Sequence, residues 1–231
     1  MKFPLALCPG LLCDAQLWRH QTERLADIAR PFVGDFTTQD SIPAMARSVL
    51  DAAPERFALA GLSMGGYVAL EILRQAPQRV ARLCLLDTSA RPDTEQQTAF
   101  RRQMLEQVRL GAFKGVTRRM LKLFLHPGRL EDKALTGAVM AMARRVGREA
   151  YIRQQTAIMN RVDSRPSLGA IACPTLVICG RQDTLTPVAM AEEIAAGIPG
   201  AELAIVEECG HLSTMERPEE VAVLMRRWLE A

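Results

Sequence analysis

Ser63 stands at the centre of Gly61-Leu62-Ser63-Met64-Gly65, with a glycine two residues away on each side. That spacing suits a nucleophile held on a sharp strand-to-helix turn, where neighbouring Cβ atoms would collide. Taken alone, the pattern also describes an ordinary glycine-rich turn. A serine hydroxyl is a poor nucleophile until a base takes its proton. The chain offers three histidines, His20, His126 and His211. His20 follows Trp18 in a predicted helix and reads as a surface residue. His126 precedes Pro127-Gly128 and suits a helix cap or a pocket wall. His211, in Cys209-Gly210-His211-Leu212, follows the last predicted strand, where a sheet delivers a base to its carboxyl edge. His211 is therefore assigned as the base.

The acid that orients the base should follow another strand. Asp183 does so in Gly180-Arg181-Gln182-Asp183-Thr184, and Asp87, at the end of its own strand, is the rival. Asp183 is preferred because the order Ser63, Asp183, His211 fits a nucleophile, acid and base on a parallel sheet. Its place before Pro187 also suits a plain helix-leading turn. The developing oxyanion needs two backbone N–H donors. Met64, next after the serine, supplies one; Leu11, in the loop Pro9-Gly10-Leu11-Leu12-Cys13-Asp14, is the candidate for the other.

The elements that must position these groups are legible as short apolar runs. They are 3–8, 57–62, 80–86, 175–179 and 203–206, with a weaker candidate at 31–35. Helical patterns occupy 16–28, 41–52, 64–75, 187–196 and 218–229, with Ser41 as an N-cap and prolines opening the last two. Continuous apolar strands alternating with helices indicate a parallel sheet covered on both faces. From 91 to 165 no strand is read, and the stretch looks like a helical cap inserted between two strands. The core is thus 1–90 plus 166–231.

Bulk properties restrict the function. The 231 residues carry a net charge of only +3, which gives no argument for nucleic acid. No run of about 18 apolar residues suits a membrane span, and the N-terminal run is too short for a signal core. A cytoplasmic location is expected. The six cysteines, with no metal-site spacing, read as small buried hydrophobes. No metal or cofactor is expected.

Four motifs now carry a family resemblance: Pro9-Gly10 with Trp18; Gly-Leu-Ser63-Met-Gly-Gly; Pro174-Thr-Leu-Val-Ile-Cys-Gly180 with Asp183; and Gly210-His211 with Glu216-Arg-Pro218. In these the chain resembles the α/β-hydrolase superfamily over nearly its whole length. The resemblance implies an α/β fold with Ser63 as nucleophile, Asp183 as acid, His211 as base and a helical cap over the site. Within the superfamily it looks nearest to small carboxylesterases and enol-lactone hydrolases. Two departures stand out. The family usually shows His-Gly where this chain has Pro9-Gly10, and the chain begins at what would be the family's third strand. The sheet should therefore have about six strands.

The function expected is hydrolysis of a carboxylic ester or lactone through an acyl-enzyme. A C–C bond hydrolase or lyase using the same triad is the alternative, followed by a non-catalytic ligand-binding member of the fold. The cap raises a further expectation. Residues 91–165 hold 16 Lys and Arg against 7 Asp and Glu, a balance of +9, leaving −6 on the rest. A solvated helical face accounts for this, and so does steering of an anionic or carrier-linked substrate. Arg161, near Asp163 and Arg165, suits an ion pair at the cap hinge or a substrate carboxylate. Phe124 and Met159, with Met104, Met120 and Met140, suit an acyl pocket or cap-to-core packing. The oligomeric state is left as monomer or homodimer.

Overall fold

A computed structural model describes residues 2–231. Its strands are β1 (Phe3–Cys8), β2 (Ala29–Val33), β3 (Phe57–Leu62), β4 (Val80–Leu86), β5 (Thr175–Gly180) and β6 (Glu202–Val206). They form one six-stranded sheet in the order β2-β1-β3-β4-β5-β6, and every neighbouring pair is parallel. This is the α/β fold expected from the apolar runs.

Side chains alternate across a strand, so a strand buried on both faces feeds two cores. Leu5, Leu7, Ala58, Ala60, Leu62, Cys84, Leu86 and Ile178 pack on one face with Trp18 and Trp228. Ala6, Cys8, Phe57, Leu59, Leu83, Leu85 and Cys179 pack on the other. The first core is closed by Leu17, Trp18 and Leu25, which flank α1 (Arg19–Arg24), and by α9 (Pro218–Glu230). The second is closed by α2 (Ile42–Ala52), α3 (Met64–Gln75) and α7 (Val188–Gly197). Ser41 caps α2, its side chain accepting from Ala44 N–H at 3.3 Å.

Two elements differ from the sequence reading. The single helix expected over 16–28 is a 3₁₀ turn (Ala15–Trp18) followed by the short α1. Asp14 caps that turn by accepting from Gln16 N–H at 2.9 Å, and Trp18 at the junction (φ −105°, ψ 4°) lies outside the α region, so the two pieces remain distinct. The weak strand expected over 31–35 is β2, two residues earlier. Its Pro31 is tolerated because β2 lies at the sheet edge.

Among the described residues, no strand lies between β4 and β5. The connection consists of α4 (Glu95–Gln107), a π-helical turn (Val108–Ala112), α5 (Arg118–Phe124) and α6 (Lys133–Met159). Gly147 (φ 81°) kinks α6, a conformation that only glycine adopts cheaply. The chain then re-enters the sheet at β5.

Candidate active site

Ser63 lies between β3 and α3 with φ 55° and ψ −116°, a strained backbone for a residue with a Cβ. The strain persists because the turn is held on all sides. Ser63 N–H donates to Leu86 O at 3.0 Å, and Thr88 Oγ donates to Ser63 O at 2.7 Å. A Cβ at Gly61 would collide with the Gly65 carbonyl, and one at Gly65 would collide with the Cys8 carbonyl. Both glycines of the motif are thus required by close backbone approach.

The loops after β5 and β6 bring the other groups to Ser63. His211 Nε2 lies 2.9 Å from Ser63 Oγ, and His211 Nδ1 lies 2.8 Å from Asp183 Oδ2. With the Nδ1 proton donated to Asp183, Nε2 is left to accept the serine proton. Thr186, not singled out in the sequence, donates its hydroxyl to Asp183 Oδ2 at 2.6 Å. The N–H groups of Leu185 and Thr186 donate to Asp183 Oδ1 at 2.8 and 3.0 Å. The short Asp183-to-Thr186 spacing was the available signal for this role.

Burial opposes charge on Asp183, but the His211 charge and these donors outweigh it and hold its carboxyl below the usual range. Burial likewise pulls the His211 imidazole down, and is outweighed by Asp183, then Asp87 and Glu216; its net position is above the usual 6.5. Asp87 does not touch the imidazole. It accepts from Gly180 N–H at 2.9 Å, and from Ser213 N–H and Oγ at 3.2 and 2.5 Å. It thereby ties the end of β5 to the helical turn α8 (Ser213–Glu216) after His211. Burial and the nearby Asp183 charge push the Asp87 carboxyl up to about 7.

Glu216 fastens the His211 loop to the cap. Its carboxylate accepts from Gly210 N–H at 2.9 Å and from His126 N–H at 2.7 Å. His211 N–H itself donates to Phe124 O at 2.8 Å. His126 caps a 3₁₀ turn, its Nδ1 accepting from Gly128 N–H at 3.1 Å, apart from the Ser63–His211–Asp183 chain.

Two backbone N–H groups near Ser63 are unpaired. Among the described residues, neither the Leu11 N–H nor the Met64 N–H has an acceptor in the chain, whereas Leu12 N–H is bonded to Gln154 at 3.0 Å. Gly10 sits so near the turn that a Cβ there would lie 3.4 Å from Ser63 Cβ.

The cap residues divide. The Phe124 ring lies 6.3 Å from the His211 ring between centroids. Met159 packs half-buried against the core. Arg161 is corrected: it is engaged elsewhere, paired with Asp93, donating to Arg91 O at 2.9 Å and stacked 4.4 Å over the Tyr67 ring. Its side chain is buried and its donors are spent on the hinge, so the substrate-carboxylate alternative does not hold. Among the described residues, one cluster, Asp87, Cys179 and Asp183, has the residue types for a metal ion. Its carboxylate oxygens are already filled by the donors above, so the set does not fit one.

A family model described as alpha/beta hydrolase fold matches residues 21–218. A thermophilic esterase from Thermogutta terrifontis, solved with malate bound, superposes with a TM-score of 0.91 at 30% identity, covering 100% of this chain and 90% of that one. A 2-hydroxy-6-oxononadienedioate/2-hydroxy-6-oxononatrienedioate hydrolase from Paraburkholderia xenovorans is 31% identical over 82% of this chain and 68% of its own length. A pimeloyl-[acyl-carrier protein] methyl ester esterase from Neisseria meningitidis is 27% identical over 87% of this chain and 78% of its own.

Proposed function

The chain belongs to the α/β-hydrolase superfamily of hydrolases, and from that premise we propose that it cleaves a carboxylic ester or lactone through an acyl-enzyme on Ser63. The observation that carries this reading is the continuous chain of contacts from Ser63 Oγ to His211 to Asp183, at 2.9 and 2.8 Å. His211 takes the serine proton as Oγ attacks the carbonyl carbon. The carbonyl oxygen becomes an oxyanion between the Leu11 and Met64 N–H groups. His211, now charged and balanced by Asp183, gives its proton to the leaving alcohol. Water then enters, loses a proton to the same imidazole and releases the acid. Every proton is returned, and no metal or cofactor is required by these steps.

A fluorophosphonate probe should label Ser63, and Ser63→Ala should lower kcat for p-nitrophenyl esters by at least about 10³-fold. Ester hydrolysis that survives the substitution would remove Ser63 as the nucleophile. Failure of the unaltered chain to be labelled would favour a ligand-binding role. A second reading, C–C bond hydrolysis, is favoured by the relative from Paraburkholderia xenovorans. An assay panel of esters, lactones and vinylogous 2-hydroxy-6-oxo acids separates the two. Two relatives act by name on a dioate and on a carrier-linked ester. Together with the cap charge, they support an anionic or carrier-linked substrate here.

A further inference from the structure

We propose that Gln154, on cap helix α6, is a positioning residue that fixes the loop after β1 so that Leu11 N–H is left as its open donor. The inference rests on the serine-hydrolase reading above. Gln154 is 1% exposed, although it belongs to the cap. Its Oε1 accepts from Leu12 N–H at 3.0 Å, and its Nε2 donates to Phe36 O at 3.0 Å. One partner is only a donor and the other only an acceptor, so the orientation of the amide is determined by the backbone it meets.

The loop needs such an anchor. Leu12 has a φ of 58°, a left-handed conformation that leucine rarely adopts. Two bonds define the turn around it. Cys13 N–H donates to Gly10 O at 3.1 Å, and Leu12 N–H is taken by Gln154. In a trans peptide the N–H points opposite to the C=O. With Gly10 O turned to Cys13, the Leu11 N–H of the same peptide faces away from the turn. Gly10 meanwhile lies against the Ser63 turn. Without Gln154, the buried Leu12 N–H must find another acceptor, and the Leu11–Leu12 peptide is free to rotate.

Other α6 side chains reinforce this connection. Arg145 Nε and Nη2 donate to Asp14 Oδ2 and Oδ1 at 2.8 and 3.1 Å. Arg153 Nε donates to Thr37 O at 2.8 Å, on the loop after β2. The helix thus holds both loops, but only Gln154 reaches the peptide next to the Leu11 donor. A cap helix thereby sets the geometry of the oxyanion site as well as covering it.

The test is Gln154→Met, which keeps the length and removes both hydrogen bonds. For a p-nitrophenyl ester, kcat should fall about 10- to 100-fold with KM changed less than about 2-fold. Affinity for an alkyl boronic acid, which forms a tetrahedral adduct on serine, should fall by the same factor. Arg153→Ala, on the same helix but away from Leu12, should retain kcat. Equal losses in both variants, or a change in KM alone, would overturn the proposal. A measurement on the unaltered chain covers the case in which Gln154→Met does not fold. When the boronic acid binds, the Leu11 amide proton should move downfield while that of Leu12 stays in place. A shift at Leu12 instead, or none at Leu11, would overturn the proposal. Normal ester turnover in Gln154→Met would refute this inference alone. An unaltered chain that neither turns over esters nor binds the boronic acid would refute the underlying reading as well.

Discussion

His211 is a residue on which two opposing effects meet. Burial favours its neutral form, while Asp183, Asp87 and Glu216 favour the charged form and win. In the proposed mechanism His211 must be neutral to take the Ser63 proton. Its raised pKa therefore places the acid limb of kcat/KM above pH 6.5, with activity lost as pH falls through that value. Asp87 offers a way to check the cause. Asp87→Asn keeps an acceptor for Gly180 N–H but removes a carboxylate beside Asp183. The acid limb should move to lower pH, by up to about 1 unit. Asp183, His211 and the thiols of Cys84, Cys179 and Cys209 face this position and remain in place. A pH–rate profile in which the limb does not move would show that Asp87 acts on the loops alone. Asp183 would then carry most of the shift.

At the scale of elements, the site is assembled by loops that are tied to one another across the sheet edge. Glu216 illustrates this. It lies on the short α8, yet it holds Gly210 N–H beside His211 and His126 N–H at the end of α5. Arg129 adds a bond to the Glu216 carbonyl at 2.7 Å. Glu216→Ala would orphan two N–H groups in the interior, each worth about 1–3 kcal/mol. A loss of about 2–5 kcal/mol in denaturant unfolding is expected, with kcat reduced because the His211 loop is released from the cap. Unchanged stability would mean that water or a shifted loop satisfies both groups. The strands and most helices were legible in the sequence because apolar period and capping residues are local. Ser63, Asp183 and His211 were legible for a related reason: each sits just past a readable strand. Arg161 was misread in one alternative because its partner Asp93 lies 68 residues away. Gln154 was not read at all, since nothing near it in the chain announces Leu12, 142 residues distant.

The whole molecule separates charge in a way that its net +3 conceals. Part of the basic excess on residues 91–165 is spent on joining cap to body. Arg91 pairs with Glu193 at 2.8 Å, and Arg145 pairs with Asp14 at 2.8 Å. Exposed pairs of this kind contribute about 0–1 kcal/mol each, so they align the cap more than they stabilise it. Arg102, Arg109, Arg118, Arg119, Lys122 and Arg144 are exposed and, among the described residues, have no carboxylate partner. Three of these lie on α5, whose last residue, Phe124, stands beside His211. We propose that this positive charge at the edge of the site attracts anions before they bind; salt weakens such a field over a Debye length of about 10 Å at 0.1 M. For an ester bearing a free carboxylate, kcat/KM should therefore fall steeply between about 0.02 and 0.5 M salt. For its neutral counterpart, kcat/KM should change little. Arg118→Glu with Lys122→Glu should flatten the first dependence and leave the second as it was. If both esters respond alike, the basic face is solvated surface. Selection of the substrate would then rest on the shape of the site around Ser63.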